Sequence, residues 1–353
     1  MRIAKLHTIF LFLASILCSC ATEKPVINAV CELQSDGAYM LKWETFPPLT
    51  GMVKIYASGQ PDFFNLSSPI ATENITNGFS KVLPIPAART YFQLIFNGKD
   101  SVVTANRVVP FQRIVNFRDL GGYANNHNKI VRWGKIYRSG SLAAASEQDL
   151  DDLSKMHIQT IIDLRSESEI RAFPNKLQAS YVYNLPLRGN RYDTFLEQSI
   201  LTKMTRADVL EYDRNVNTFL MENNADYFEK LFQVLLNEAN YPIVMVGSLG
   251  KDRVACAVSL IFEALEMDEV TILNDFLLSN DLLNFRSIVQ NADEFTPAIQ
   301  ETMTALLRVH EETFRYTRTV MNENYGSLNN YLEKELKVTP NDREHLKMIL
   351  LYP

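Results

Sequence analysis

From residue 26 to residue 109 apolar and polar side chains alternate in short runs, the period of half-buried strands. The runs are 26–33, 38–44, 52–57, 81–85, 90–96 and 101–109, with turn residues between them. Asn97-Gly98, between the last two, predicts a hairpin with a primed turn. Beyond Val109-Pro110 the pattern changes. Continuous apolar runs at 158–164 and 243–246 suit buried strands, and stretches of helical period follow at 146–156, 226–237 and 254–265. Ser146 is the N-cap of the first of these. In 254–265 only Ser259 and Glu263 are polar, which predicts a buried helix. Strands alternating with helices imply a mainly parallel sheet with ligands at the carboxyl ends of the strands. From 189 to about 225 the chain is polar and helical, with Tyr192, Phe195, Tyr212 and Phe219 at intervals. That stretch fits a lid over a site or a peripheral helical pair. The remainder is helical, broken at Pro340. The expected organisation is an all-β sandwich over 20–109 followed by an α/β domain over 110–353.

The first nineteen residues read as an export signal. Arg2 and Lys5 give a basic start, and the apolar stretch 9–17 is too short to span a bilayer as a helix. Leu17-Cys18-Ser19-Cys20 resembles a bacterial lipobox with Cys20 as the acylated residue; the alternative is an ordinary signal peptide cut near Ala21. On the lipobox reading the mature protein is tethered by lipid in the bacterial cell envelope, facing the periplasm or the cell exterior. Cys31 and Cys256 then remain, too far apart in the chain to imply a disulfide framework. Cys256 reads as a buried, inert thiol. The net charge of −6 with no basic cluster argues against nucleic-acid binding. No cluster has metal-ligand spacing, and no metal or cofactor is expected.

The candidate chemistry lies in Tyr241-Pro242-Ile243-Val244-Met245-Val246-Gly247-Ser248-Leu249-Gly250-Lys251-Asp252-Arg253. Strand, glycine-containing turn and helix in that order aim backbone N–H groups and a positive dipole end at one point. Arg253 opens the predicted helix, where a cation is disfavoured unless an anion lies nearby. The alternative is a plain βα turn with a surface Lys and Arg.

Gly250-Lys251-Asp252-Arg253 after a short apolar strand resembles the phosphate-binding loop of a bacterial tyrosine phosphatase family, His-Cys-x-x-Gly-Lys-Asp-Arg. Asn116-Phe117-Arg118-Asp119-Leu120-Gly121-Gly122, Tyr137-Arg138-Ser139 and Asp163-Leu164-Arg165-Ser166-Glu167 are similar to further landmarks of that family. So are the segments 274–280 and 325–332. The resemblance runs from about residue 111 to 351. It implies a phosphate cradle made by Gly247, Ser248, Leu249, Gly250, Lys251 and Arg253, with Asp252 as candidate acid. Arg118, Asp119 and Arg138 are implied as supporting residues, Asp119 being a second candidate acid. Read without the family, Arg118 and Asp119 form a local ion pair in a loop, and Arg165 bridges to Asp163 or Glu167. Trp43 and Tyr91 resemble the core markers of an immunoglobulin or fibronectin III-like sandwich.

Two positions depart from the family. Val246 stands where it has His, and Gly247 where it has the nucleophilic Cys. Loss of a nucleophile from a concerted unit costs about 10⁴–10⁶ in rate, whereas glycine removes no N–H donor from the cradle. The lipobox and the resemblance without its nucleophile together imply a lipid-anchored pseudophosphatase that binds a phosphorylated protein or phospholipid without hydrolysing it. The alternatives are an active phosphatase with an altered nucleophile, Ser248 being adjacent, and a non-catalytic surface or adhesion-type protein that binds through its sandwich.

Overall fold

The computed structural model describes residues 24–189, 205–284, 288 and 292–353. Cys20 and the export signal, together with Tyr192 and Phe195, lie outside the described residues.

Seven strands form the N-terminal unit: β1 (Val26–Leu33), β2 (Tyr39–Phe46), β3 (Met52–Ser58), β4 (Ala71–Asn74), β5 (Phe79–Val82), β6 (Tyr91–Phe96) and β7 (Asp100–Ala105). They make two antiparallel sheets, ordered β1-β2-β5 and β4-β3-β6-β7, over one apolar core. Alternation explains the core: Leu41 and Trp43 of β2 face Val53 and Ile55 of β3 and Leu94 and Phe96 of β6, while Lys42 and Glu44 point outward. The Asn97-Gly98 turn has φ of 52° and 71°, both positive as a type I′ turn requires. β4 has no apolar run to announce it, and β7 ends four residues before the expected 109. Trp43 sits in the core as expected. Tyr91 does not: it belongs to a separate cluster with Ala105 and Trp133, facing the second unit.

The second unit is built on a five-stranded sheet ordered β11-β10-β12-β9-β8. These strands are β8 (Arg118–Asp119), β9 (Ile136–Ser139), β10 (Thr160–Asp163), β11 (Tyr181–Asn184) and β12 (Ile243–Val246). All pairings are parallel except β8 with β9. β12 is central and buried at all four positions, consistent with its unbroken apolar sequence. Helices α1 (Glu147–Lys155) and α2 (Glu167–Ala172) both begin with capping boxes, at Ser146 with Asp149 and at Ser166 with Glu169. They are followed by α3 (Arg206–Glu222), α4 (Ala225–Leu235), α5 (Arg253–Ala264) and α6 (Glu269–Leu277). The chain ends with α7 (Ser279–Leu282), α8 (Pro297–Leu307), α9 (Glu311–Tyr325), α10 (Leu328–Lys334) and α11 (Pro340–Leu350). Ten of the twelve residues of α5 are buried, so it forms the helical core of this layer.

The two units are tied by polar contacts in a buried setting. Arg89 Nη1 lies 2.7 Å from Asp119 Oδ2, with Asp119 fully buried and Arg89 nearly so. The Tyr91 and Tyr137 hydroxyls are 3.1 Å apart, and Trp133 Nε1 donates to the Val103 carbonyl at 3.0 Å.

Candidate anion-binding site

Register explains where the loop begins. Val246 at the end of β12 is level with Asp163 on one side and Ser139 on the other, so the loop rises from the middle of the sheet. Gly247 N donates to the Ser139 carbonyl at 3.2 Å. The next three carbonyls are all claimed from outside. Ser248 O accepts from Ser141 N at 3.0 Å, Leu249 O from Asn116 Nδ2 at 2.9 Å, and Gly250 O from Arg138 Nη2 at 2.6 Å. A peptide whose C=O is held outward turns its neighbouring N–H inward. The amides of Leu249 and Gly250, which share peptides with the Ser248 and Leu249 carbonyls, donate to no other group among the described residues. They edge a small cup lined by the seven residues Gly247 to Arg253 alone, at the N-terminus of α5.

The two loop glycines differ in kind. Gly250 has φ of 68°, and a Cβ there would overlap the Ser139 carbonyl, so glycine is required. Gly247 has no positive φ, and its Cβ would meet Val254 Cγ2 at 3.0 Å and Gly250 at 3.4 Å. A side chain fits at Gly247 once Val254 gives slightly.

Arg253 is buried and fully engaged at its tip. Its Nη1 donates to Glu169 Oε2 at 2.7 Å and to the Leu164 carbonyl at 3.3 Å. Its Nη2 donates to Glu169 Oε1 and to Ser248 Oγ, each at 3.0 Å. Ser248 Oγ in turn donates a short hydrogen bond to Glu169 Oε1. Burial alone would raise the Glu169 pKa, but the hydrogen bonds and charge of Arg253 outweigh it and hold it down to about 2. Glu169 was not singled out from the sequence. The signal was present, since Ser166 and Glu169 have capping-box spacing, and the box points the carboxylate at the loop.

Behind the loop, Arg118 and Arg138 share one carboxylate. Asp275 Oδ1 lies 3.0 Å from Arg118 Nε, and its Oδ2 lies 2.5 Å from Arg138 Nη1, with all three side chains buried. Burial would raise the Asp275 pKa, but the two guanidinium charges keep it well below the usual carboxylate range. Two cations against one anion leave this platform positive beneath the cup. Arg118 also donates to Asn116 Oδ1, which orients the amide holding Leu249 O. Arg118 and Arg138 thus support the loop directly. Asp119 does not pair with Arg118, because adjacent strand residues point to opposite faces. It takes Arg89 and the Gly121 and Gly134 amides instead, away from the cup. Arg165 bridges to Asp163 at 2.7 Å rather than to Glu167.

Lys251 and Asp252 are both buried, with Lys251 Nζ 3.0 Å from Asp252 Oδ1 and 3.5 Å from the Arg308 carbonyl. Cys256 is a free, buried thiol whose pKa burial pushes well up, outside the loop. Of the expected lid, α3 is described: Tyr212 is half-buried against the core and Phe219 is exposed. Among the described residues no group of three or more His, Cys, Asp or Glu could hold a metal. No helix among them is long and apolar enough to cross a membrane.

The family model described as "Tyrosine phosphatase family" matches residues 109–352. A protein of Cupriavidus necator that carries the name of a tyrosine-protein phosphatase is 28% identical over 241 residues, covering 65% of this chain and 84% of that one. The triple specificity protein phosphatase PtpB of Mycobacterium tuberculosis is 26% identical over 251 residues, covering 62% of this chain and 90% of its own. Among solved structures, the core catalytic domain of the PP-IP phosphatase SIW14 from S. cerevisiae, in complex with citrate, has a TM-score of 0.27 at 16% identity. It covers 54% of this chain and 87% of that one.

Proposed function

The chain belongs to the tyrosine phosphatase family, and from that premise we propose that it is a pseudophosphatase, binding a phosphorylated ligand without hydrolysing it. The observation that carries the reading is a cradle complete but for a nucleophile. The outward-held carbonyls of Ser248 and Leu249 turn the amides of Leu249 and Gly250 toward the cup, Arg253 stands at its rim, and Gly247 occupies the attacking position. The family's reaction needs a thiolate to attack phosphorus, with Arg and loop amides stabilising the oxygens and an acid protonating the leaving oxygen. Gly247 has no atom that can attack. Asp252, the candidate acid, is paired with Lys251.

The ligand is a phosphorylated protein or a phospholipid headgroup. The protein acts in the bacterial cell envelope, held by acylation at Cys20, with residues 20–109 as an immunoglobulin-like module joined to a phosphatase-like domain over 110–353. A second reading, residual turnover through Ser248, is favoured by the hydrogen bond from Ser248 Oγ to Glu169. Against it, a carboxylate held near pKa 2 by Arg253 is a weak base.

The test pairs binding with turnover on the purified protein. Phosphate or vanadate should raise the melting temperature, and Arg253→Lys, which keeps the charge but loses the fork, should abolish the shift. Aryl phosphate turnover should equal that of Ser248→Ala. Turnover lost in Ser248→Ala would replace this reading with an active enzyme, and absence of any anion-dependent shift would remove the cradle as a site.

A further inference from the structure

Helix α3 carries a buried stripe, Val209, Asp213, Val216, Asn217 and Leu220, at helical spacing, and one member is a carboxylate. Asp213 is 3% exposed. It lies within electrostatic reach of Lys251 and Asp252 of the phosphate loop, which are 1% and 5% exposed and paired at 3.0 Å, and Lys251 Nζ also lies 3.5 Å from the carbonyl of Arg308, two residues before His310. His310, from the connection between α8 and α9, completes the group. Its Nε2 is 3.8 Å from Asp213 Oδ2 and 3.0 Å from the Ala305 carbonyl. Tyr212 lies on the same helix, within electrostatic reach of Asp252. Arg206 and Arg308 bear on the imidazole from the helix start and the α8 end. The buried ammonium that acts on Asp213 is Lys251, which also pairs with Asp252 at hydrogen-bond distance. Two carboxylates that share one ammonium in a buried site cannot both ionise cheaply.

The geometry points to Asp213 as a positioning residue that sets the charge of the phosphate loop: with its proton on, Lys251 and Asp252 balance and the cup accepts an anion, and with its proton off, a second negative charge opposes the anion. This rests on the anion-binding reading of the loop and deepens it. Burial pushes the Asp213 carboxyl up to about 7 and Asp252 adds to the effect, while Lys251 opposes it. His310 is shifted the other way, chiefly by burial, with Lys251, Arg206 and Arg308 adding to the effect. Its titration therefore falls below that of Asp213. Linkage makes the effect reciprocal: a bound anion holds the proton on Asp213.

Sulfate is the probe, because it keeps one charge state across the range while phosphate does not. For the intact protein its Kd should weaken by about three- to tenfold from about pH 5.5 to about pH 8.5, tenfold being the effect of one pK unit of coupling. Asp213→Asn should flatten the profile, and His310→Gln should leave it. Calorimetry of the unaltered protein near pH 7, in two buffers of different ionisation enthalpy, should show proton uptake on sulfate binding. That readout does not depend on any variant folding. An equally steep profile in Asp213→Asn, a profile flattened only by His310→Gln, or binding without proton uptake each overturns the assignment. No sulfate binding at any pH sinks the anion-binding reading itself, and this inference with it.

Discussion

Glu169 and Arg253 meet as a two-toothed ion pair, Oε2 to Nη1 at 2.7 Å and Oε1 to Nη2 at 3.0 Å. The guanidinium that would grip a phosphate is therefore already gripping a carboxylate. An incoming anion must share or take part of that fork, and a dianion is repelled by the charge it displaces.

Replacing Glu169 with Gln keeps a hydrogen-bonding group and removes the charge. Affinity for vanadate should rise several-fold, measured by titration, because repulsion falls while the loop amides are untouched. Unchanged or weaker binding would mean that the ion pair chiefly holds Arg253 in place.

The same pair predicts an acid limb of stability. The folded pKa of Glu169, about 2, lies below its ordinary 4.5. Its contribution is therefore complete above pH 4.5 and is lost as pH falls towards 2. After solvent screening it is on the order of 2 kcal/mol. Denaturant melts of Glu169→Gln and the parent should differ at pH 7 and converge at pH 2.

Asp213 has the opposite sign. Its folded pKa of about 7 lies above the ordinary 3.8, so the fold binds the proton more tightly and loses stability as pH rises from 3.8 to 7. Asp213→Asn removes that loss. Its melting temperature should exceed the parent's at pH 8 and approach it at pH 4.

Gly247 has no positive φ, and a Cβ there would meet Val254 Cγ2 at 3.0 Å and Gly250 at 3.4 Å. Gly247→Cys should fold with a cost below about 1.5 kcal/mol. It would place a thiol where loop amides and Arg253 favour the thiolate. Measurable aryl phosphate turnover is expected, lost again in Gly247→Ser. An inert, correctly folded Gly247→Cys would locate the block to chemistry elsewhere, with Val246 and the pairing of Asp252 as suspects.

Gly250→Ala tests the cradle from the other side. The positive φ and the overlap with the Ser139 carbonyl should cost about 2 kcal/mol or more and displace the amides. Anion-dependent stabilisation should disappear in thermal melts at temperatures where the variant is still folded.

Local signals were the legible ones. The alternation in β1 and β2, the Asn97-Gly98 turn, the apolar β12 and the buried α5 all follow from side-chain period and from turn residues whose φ is set by sterics. That the loop follows a short buried strand was equally readable. Pairings between distant segments were not, because a charged side chain does not announce its partner. Arg118 beside Asp119 reads as a local pair, yet the sheet sends one to Asp275 and the other to Arg89. Glu169 and Asp213 were passed over for the same reason. Each looks like an ordinary helix residue until the fold brings it against the loop.

Arg89 lies in the N-terminal strand unit and Asp119 in the phosphatase-like part, and each neutralises the other out of water's reach. Recombination that exchanged the front module for another would strand Asp119 without its countercharge, at a cost of about 3–5 kcal/mol. An incoming module would have to bring its own arginine to the same spot. The junction thus works as a compatibility check on ancestry, and the two halves are expected to be inherited as a pair.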